Sequence, residues 1–229
     1  MHEAVILAGG YGTRLRQVIS DVPKPMAPIQ GRPFLELQLG MLERQGFGHV
    51  VLAVGYLGHM IVSHFGERFG TMALSYTIED SPLGTGGAMQ TALPSCQQDR
   101  VFVLNGDTYL EFDCNVADRL WQAEQRGVII GRELPDTARY GRLTTHDGWV
   151  TGMVEKGVVG PGIVNAGCYV LAKDQLAGVD HPMPFSFETD YLARVLPTAP
   201  FRVLVTDGLF IDIGVPEEFA RAQDLLAGR

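Results

Sequence analysis

The stretch LAGGYGTRLRQVISDVPKPMAP, Leu7–Pro28, packs three glycines, two arginines and one lysine behind a short apolar run. That run, AVILA over 4–8, predicts a buried strand feeding a glycine loop. Gly9, Gly10 and Gly12 allow the backbone to approach a ligand and aim N–H groups at phosphate oxygens. A Walker loop needs GxxxxGK[ST], which the chain does not have. A dinucleotide loop needs GxGxxG and an acid at the end of the second strand. Here Arg14 stands in the loop, and the second strand ends LAVGY, 52–56, without an acid. The remaining readings are a tight turn with two solvated cations, or a loop delivering Arg14 and Lys24 to a polyphosphate. The constellation favours the second, because Pro23 and Pro25 restrict the backbone on both sides of Lys24.

Outward from this loop the chain alternates. Helical spacing covers 34–47, an apolar strand 49–55, a helix 59–70, an alternating strand 73–79, a glycine-led helix 84–96 and a strand 101–107. Strand–helix alternation over the first 110 residues predicts a parallel, Rossmann-like sheet. Ligands of such sheets bind beyond the carboxyl ends of strands. Three polar stretches lie there, 9–14, 55–56 and 105–108, and the first and last carry groups suited to chemistry. After residue 110 the rhythm changes. A helix over 116–126 and a strand over 127–131 precede RLTTHDGWVTGMVEK, 142–156, where Asp147-Gly148 supplies the two left-handed positions of a tight hairpin. A strand at 164–173, a helix at 187–196, a strand at 201–205 and a proline-led acidic helix at 216–226 close the chain.

With 229 residues and 46% hydrophobic content, the chain can form one α/β domain with a substantial core. No run reaches 18 apolar residues, so neither a signal peptide nor a membrane span is expected, and the protein is read as cytoplasmic. A net charge of −8 argues against a nucleic-acid partner. Cys96, Cys114 and Cys168 show no metal or disulfide spacing and read as buried thiols. Lys24, Lys156 and Lys173 are the only lysines, and two of them fall in the motifs below.

The loop together with SPLGTGGA (81–88), LNGDT (104–108), YG (140–141), VEK (154–156), NAG (165–167) and FIDIGVPEEF (210–219) resembles the sugar-1-phosphate nucleotidyltransferases over nearly the whole chain. The likeness is strongest to the guanylyltransferases of D-glycero-α-D-manno-heptose 1-phosphate, with mannose-1-phosphate guanylyltransferases and a silent sugar-nucleotide binder as alternatives. It implies a Rossmann-like three-layer α/β sandwich with a mixed, mostly parallel central sheet. One domain, 1–229, would have a nucleotide-binding half (about 1–110) and a sugar-phosphate half (about 111–229). Its substrates would be GTP and a sugar 1-phosphate, its metal Mg²⁺. A homo-oligomer stays open.

By the same resemblance, Arg14 and Lys24 are catalytic. Leu7, Ala8, Gly9, Gly10, Gly12, Thr13, Glu79, Pro82, Gly84, Thr85, Asn105 and Gly106 would contact the nucleotide. Tyr140, Gly141, Glu155, Lys156 and Asn165 would contact the sugar phosphate, and Asp107 and Asp212 the metal. Residue chemistry agrees at two points. Mg²⁺ takes one or two carboxylates plus phosphate oxygens, although a lone aspartate after a strand also serves as a turn or cap. The acceptor-only carboxylate of Glu79 matches the adjacent N1–H and N2–H₂ donors of guanine, unless it simply ends a strand in solvent. Related uridylyl and thymidylyl enzymes carry glutamine at the corresponding position. No histidine falls in a motif. That suits a phosphate nucleophile with a second pKa near ~6, which needs no strong base at neutral pH. Two small departures, glycine after VEK and valine in DIGVPE, remove no charged group.

Overall fold

The apolar run before the glycine loop forms β1 (His2–Ala8), and the next thirty or so residues return through a short ribbon, β2 (Pro28–Ile29) and β3 (Arg32–Pro33), to α1 (Phe34–Arg44). A computed structural model describes the chain except Thr13, Arg16, Gln17, Ser20 and Glu155. β4 (Phe47–Val54), α2 (Gly58–Phe65), a two-residue β5 (Arg68–Phe69) and β6 (Met72–Ile78) follow. Then come α3 (Gly84–Ala92), β7 (Arg100–Asn105), β8 (Thr108–Leu110) and α4 (Cys114–Glu124). β9 (Val128–Leu134) leads to the hairpin β10 (Arg142–His146) and β11 (Trp149–Val154), then β12 (Gly162–Ala172). A π-helical segment, Phe187–Leu192, runs into the single turn α5 (Ala193–Val195). β13 (Phe201–Thr206), β14 (Phe210–Asp212) and α6 (Pro216–Leu225) complete the fold.

One ten-stranded sheet carries the order β10-β11-β13-β9-β12-β7-β1-β4-β6-β5. The strands up to β7 lie together at one side and the later ones at the other. β7, β1, β4 and β6 are mutually parallel, as the alternation predicts. The expectation of a mostly parallel sheet holds only for this block. Beyond it β12 is antiparallel to both neighbours, β10 and β11 form an antiparallel hairpin, and only β9–β13 is parallel. The cause is local. Asp147 and Gly148 adopt φ of +49° and +79°, a turn that reverses the chain within two residues and leaves no room for a crossover.

Alternate residues of each central strand enter opposite layers. Ala4, Ile6 and Ala8 of β1 pack with α1, α2, α4 and α6, whereas Val5 packs with α3 and the π-helical segment. Phe102 and Leu104 against Val101 and Val103 divide β7 in the same way. Each such side chain contributes about 1.5–3 kcal/mol on burial, and strands covered on both faces read as continuous apolar runs. The three cysteines are buried free thiols. Among the described residues no helix is long and apolar enough to cross a membrane.

The topology brings the motif residues to one end of the sheet. Ala8, Val54, Ile78 and Asn105 close the parallel strands on the same side. β12 runs the other way, with Cys168 opposite Leu104, so its early residue Asn165 reaches that side too.

Candidate active site

Two cavities adjoin beyond these strand ends and share Arg14, Asn105 and Asp107 in their walls. The first, of about 360 Å³, is lined by Leu7, Ala8, Gly9, Gly10, Gly12, Lys24, Glu79, Pro82, Gly84, Thr85 and Gly106. The second, of about 480 Å³, is lined by Tyr140, Gly141, Lys156, Asn165 and Asp212, with Tyr169 and Glu188. The structure thus brings every predicted site residue it describes to this pair of cavities. Thr13 and Glu155, also expected here, lie outside the described residues.

The first cavity owes its shape to close backbone contact. The Gly106 N–H donates to the Leu7 carbonyl at 2.9 Å, and a Cβ on Gly106 would stand 2.5 Å from that oxygen. Gly9 is pressed as closely against Glu79, whose Oε1 would lie 2.6 Å from an added Cβ. Only glycine lets the loop after β1 sit this close to both neighbours. Glu79 follows β6, and its Oε2 accepts from the Leu83 N–H at 3.3 Å. Burial raises its pKa, and that hydrogen bond only partly opposes the shift.

Lys24 opens a 3₁₀ turn, Lys24–Met26, between Pro23 and the buried Pro25. Its side chain is 11% exposed, and Nζ pairs with Asp107 Oδ2. Arg14, by contrast, is exposed and makes no ion pair among the described residues.

A ribbon that the sequence did not reveal unites the two aspartates. β8 and β14 pair antiparallel with Asp212 opposite Thr108, and the Ile213 N–H donates to the Asp107 carbonyl at 2.9 Å. Asp107 and Asp212, more than a hundred residues apart, therefore meet at one edge. The Gly214 N–H donates to Asp212 Oδ1 at 2.6 Å. Burial and the neighbouring Asp107 charge raise the pKa of Asp212, against Lys24, the Gly214 hydrogen bond and Lys156, which lower it. Two hard carboxylates side by side, open to a cavity, form a donor set suited to a divalent cation.

In the second cavity the Tyr140 ring lies 5.3 Å from Phe210, with the Arg139 guanidinium 5.7 Å from its centroid. Burial, then the Asp212 charge, raises the Tyr140 pKa. The Asn165 N–H donates to the Gly141 carbonyl at 2.8 Å, tying the YG and NAG motifs together. Gln38 is fully buried in α1, and Nε2 donates to the carbonyls of Asn105 at 2.9 Å and Thr108 at 2.7 Å. It clamps the turn that carries Asp107. A glutamine inside the apolar stripe FLELQLGML was the available signal. Glu188 was missed as well, although FSFETD offers a serine cap and two acids at a helix start.

The family model described as Nucleotidyl transferase matches residues 3–226, and the chain belongs to that family. More particularly, it is 37% identical over 222 residues to the D-glycero-alpha-D-manno-heptose 1-phosphate guanylyltransferase of Aneurinibacillus thermoaerophilus, covering 96% of each chain. It is 38% identical over 218 residues to the enzyme of that name from Campylobacter jejuni, covering 95% of this chain and 96% of that one. Among solved structures, HddC from Yersinia pseudotuberculosis complexed with GMP-PN superposes with a TM-score of 0.86 at 39% identity, covering 99% of this chain and all of the other.

Proposed function

We propose that this chain transfers GMP from GTP to D-glycero-α-D-manno-heptose 1-phosphate, giving GDP-heptose and pyrophosphate. The observation that carries the proposal is the pair of adjoining cavities that share Arg14, Asn105 and Asp107 in their walls. Identity to the two heptose 1-phosphate guanylyltransferases, extending over both halves, supports the choice of guanine and heptose. GTP would bind in the half formed by about residues 1–110 and the sugar phosphate in the half formed by about residues 111–229. A cytoplasmic location follows from the GTP requirement.

A phosphate oxygen of the sugar phosphate attacks the α-phosphorus of GTP. One P–O bond forms, the bond to the β-phosphate oxygen breaks, and pyrophosphate leaves with the electron pair. Two anions must meet and charge must build on the leaving group, so catalysis rests on positioning and neutralisation. Arg14, exposed where the two cavities meet, neutralises the departing pyrophosphate. Lys24, held by its prolines, turns from Asp107 to the reacting phosphates. Lys156 draws in the phosphate of the sugar. Asp107 and Asp212 would hold a divalent metal, Mg²⁺, which would supply positive charge to the phosphates. Glu79 reads the N1–H and N2–H₂ edge of guanine while Gly84, Thr85 and the loop glycines line the nucleotide. Tyr140, Gly141, Glu155 and Asn165 contact the sugar.

Pyrophosphate release tests this with GTP, UTP or dTTP against heptose 1-phosphate and mannose 1-phosphate. The expected result is the highest kcat/KM for GTP with heptose 1-phosphate. Preference for mannose 1-phosphate would overturn the choice of sugar, preference for UTP or dTTP the reading of Glu79, and no release in any pairing the activity itself.

A further inference from the structure

Glu188 belongs to no motif, yet among the described residues its carboxylate receives more hydrogen bonds than any other acid facing the cavities. Thr85 Oγ1 donates to Oε2 at 2.6 Å, Ser186 Oγ to Oε2 at 2.9 Å and Tyr169 Oη to Oε1 at 3.1 Å. Each hydroxyl is itself held as an acceptor by an N–H. The Phe187 N–H donates to Thr85 at 2.9 Å, the Thr189 N–H to Ser186 at 3.2 Å, and Asn165 Nδ2 to Tyr169 at 2.8 Å. A hydroxyl has one proton to give. All three protons therefore point at Glu188, and only an acceptor-only carboxylate can take them all.

The chain of donors has a consequence at both cavities. Asn165 Oδ1 accepts from the Gly167 N–H at 3.0 Å, which fixes the amide's other end. Its orientation is thus held from two ends, by the Gly167 N–H at Oδ1 and by Glu188 through Tyr169 at Nδ2. Thr85, in the wall of the first cavity, has its hydroxyl turned by the same carboxylate. Tyr169 is fully buried and packs edge-on to Phe187 at 5.0 Å, so the link cannot swing away.

We propose that Glu188 is a positioning residue. It fixes the free N–H of the Asn165 amide in the sugar cavity and the hydroxyl oxygen of Thr85 in the nucleotide cavity, so that both reactants meet polar groups already oriented. This rests on the assignment of the second cavity to the sugar phosphate. Preoriented groups lose little rotamer freedom on binding, and a disordered amide would weaken recognition of a polyhydroxylated ligand. Replacing Glu188 with glutamine keeps the shape but introduces two donors. At least one hydroxyl must then turn its proton away, and the Asn165 link loosens.

The test compares wild type, E188Q and Y169F as full-length protein, using heptose 1-phosphate and GTP kinetics beside the Asn165 side-chain amide resonances, assigned by their loss in N165D. E188Q is expected to raise the sugar-phosphate KM about tenfold or more and to raise the GTP KM less. Y169F, which keeps the ring packing and removes the hydroxyl that joins Glu188 to Asn165 while leaving the Thr85–Glu188 bond in place, is expected to raise the sugar-phosphate KM and leave that for GTP unchanged. Both substitutions are expected to speed exchange of the Asn165 amide protons, a measurement that needs no substrate. Unchanged Asn165 exchange in both variants, or both KM values within twofold of wild type, overturns the proposal. Altered exchange in a protein that turns over no sugar phosphate would retain Glu188 as the orienting group and reject the functional reading instead.

Discussion

The nucleotide side of the sheet holds its cavity residues at strand ends, and the sugar side does not. Ala8, Glu79 and Asn105 each sit at or one residue past the end of a parallel strand, where the backbone delivers them without further help. On the other side Asn165 lies within β12, Tyr140 between strands, Lys156 after the hairpin and Glu188 in a π-helical segment. Asn165 and Glu188 are positioned by each other through Tyr169, and Tyr140 by its packing on Phe210. A parallel block makes a site by topology, whereas an antiparallel extension must make one by side-chain hydrogen bonds.

The largest effect is expected at the junction between the two. Asp107→Asn should lower kcat about a thousandfold, the scale of losing one well-placed electrostatic group. It retains an acceptor oxygen for Lys24, so thermal unfolding should shift by only a few degrees. Turnover within tenfold of wild type, with an unchanged Mg²⁺ titration, would break the account of both sides at once.

Arg14→Ala should lower kcat/KM by about a hundredfold, in the range for removal of one stabilising charge. Because Arg14 is exposed and makes no ion pair among the described residues, the unfolding midpoint should not move. A large loss of stability with modest loss of activity would make it a structural residue of the loop.

Glu79→Gln sharpens the comparison, since it should act on the nucleotide side alone. Loss of a charge-assisted pair at about 1.5–3 kcal/mol corresponds to a rise of roughly 10–100-fold in the GTP KM, with the sugar-phosphate KM unchanged. The pH dependence has a definite sign. Burial raises the Glu79 pKa, so its carboxylate protonates at a higher pH than an exposed glutamate does. The GTP KM should therefore climb as pH falls through that raised value, and the climb should vanish in Glu79→Gln. For stability the sign is opposite: ionised Glu79 carries a desolvation cost above its folded pKa, relieved as pH falls through it. A GTP KM that is flat across the acid limb in wild type would remove Glu79 from base recognition.

The smallest effect is none. Cys96 and Cys114 have thiols pushed by burial up to about 12 and about 11, and burial raises that of Cys168 further. The native protein should not react with a thiol reagent at neutral pH, whereas the denatured chain should react at all three positions. Rapid reaction of the native protein would show that one of the core layers is open.

Legibility in the sequence followed the same division. The AVILA strand, its glycine loop and the Asp147-Gly148 hairpin are specified by adjacent residues, and the structure shows each of them. The β8–β14 ribbon was hidden because two three-residue strands carry too little periodicity, and their pairing joins residues about a hundred positions apart. FETDYL reads as a helix but not as a π-helix, since the widened turn depends on the Ser186 and Asp190 contacts at its start. Glu188 is one of two acids in that helix, with nothing adjacent to mark its role. Its partners Thr85 and Tyr169 lie 103 and 19 residues away, and no local pattern announces them.

The most direct test is a crystal structure with GDP-heptose and Mg²⁺ bound. The diphosphate should lie where the two cavities meet, within contact of Arg14 and Lys24, with the metal on Asp107 and Asp212, guanine against Glu79 and the heptose beside Asn165. A product whose diphosphate lies away from Arg14, Lys24, Asp107 and Asp212 would contradict the account.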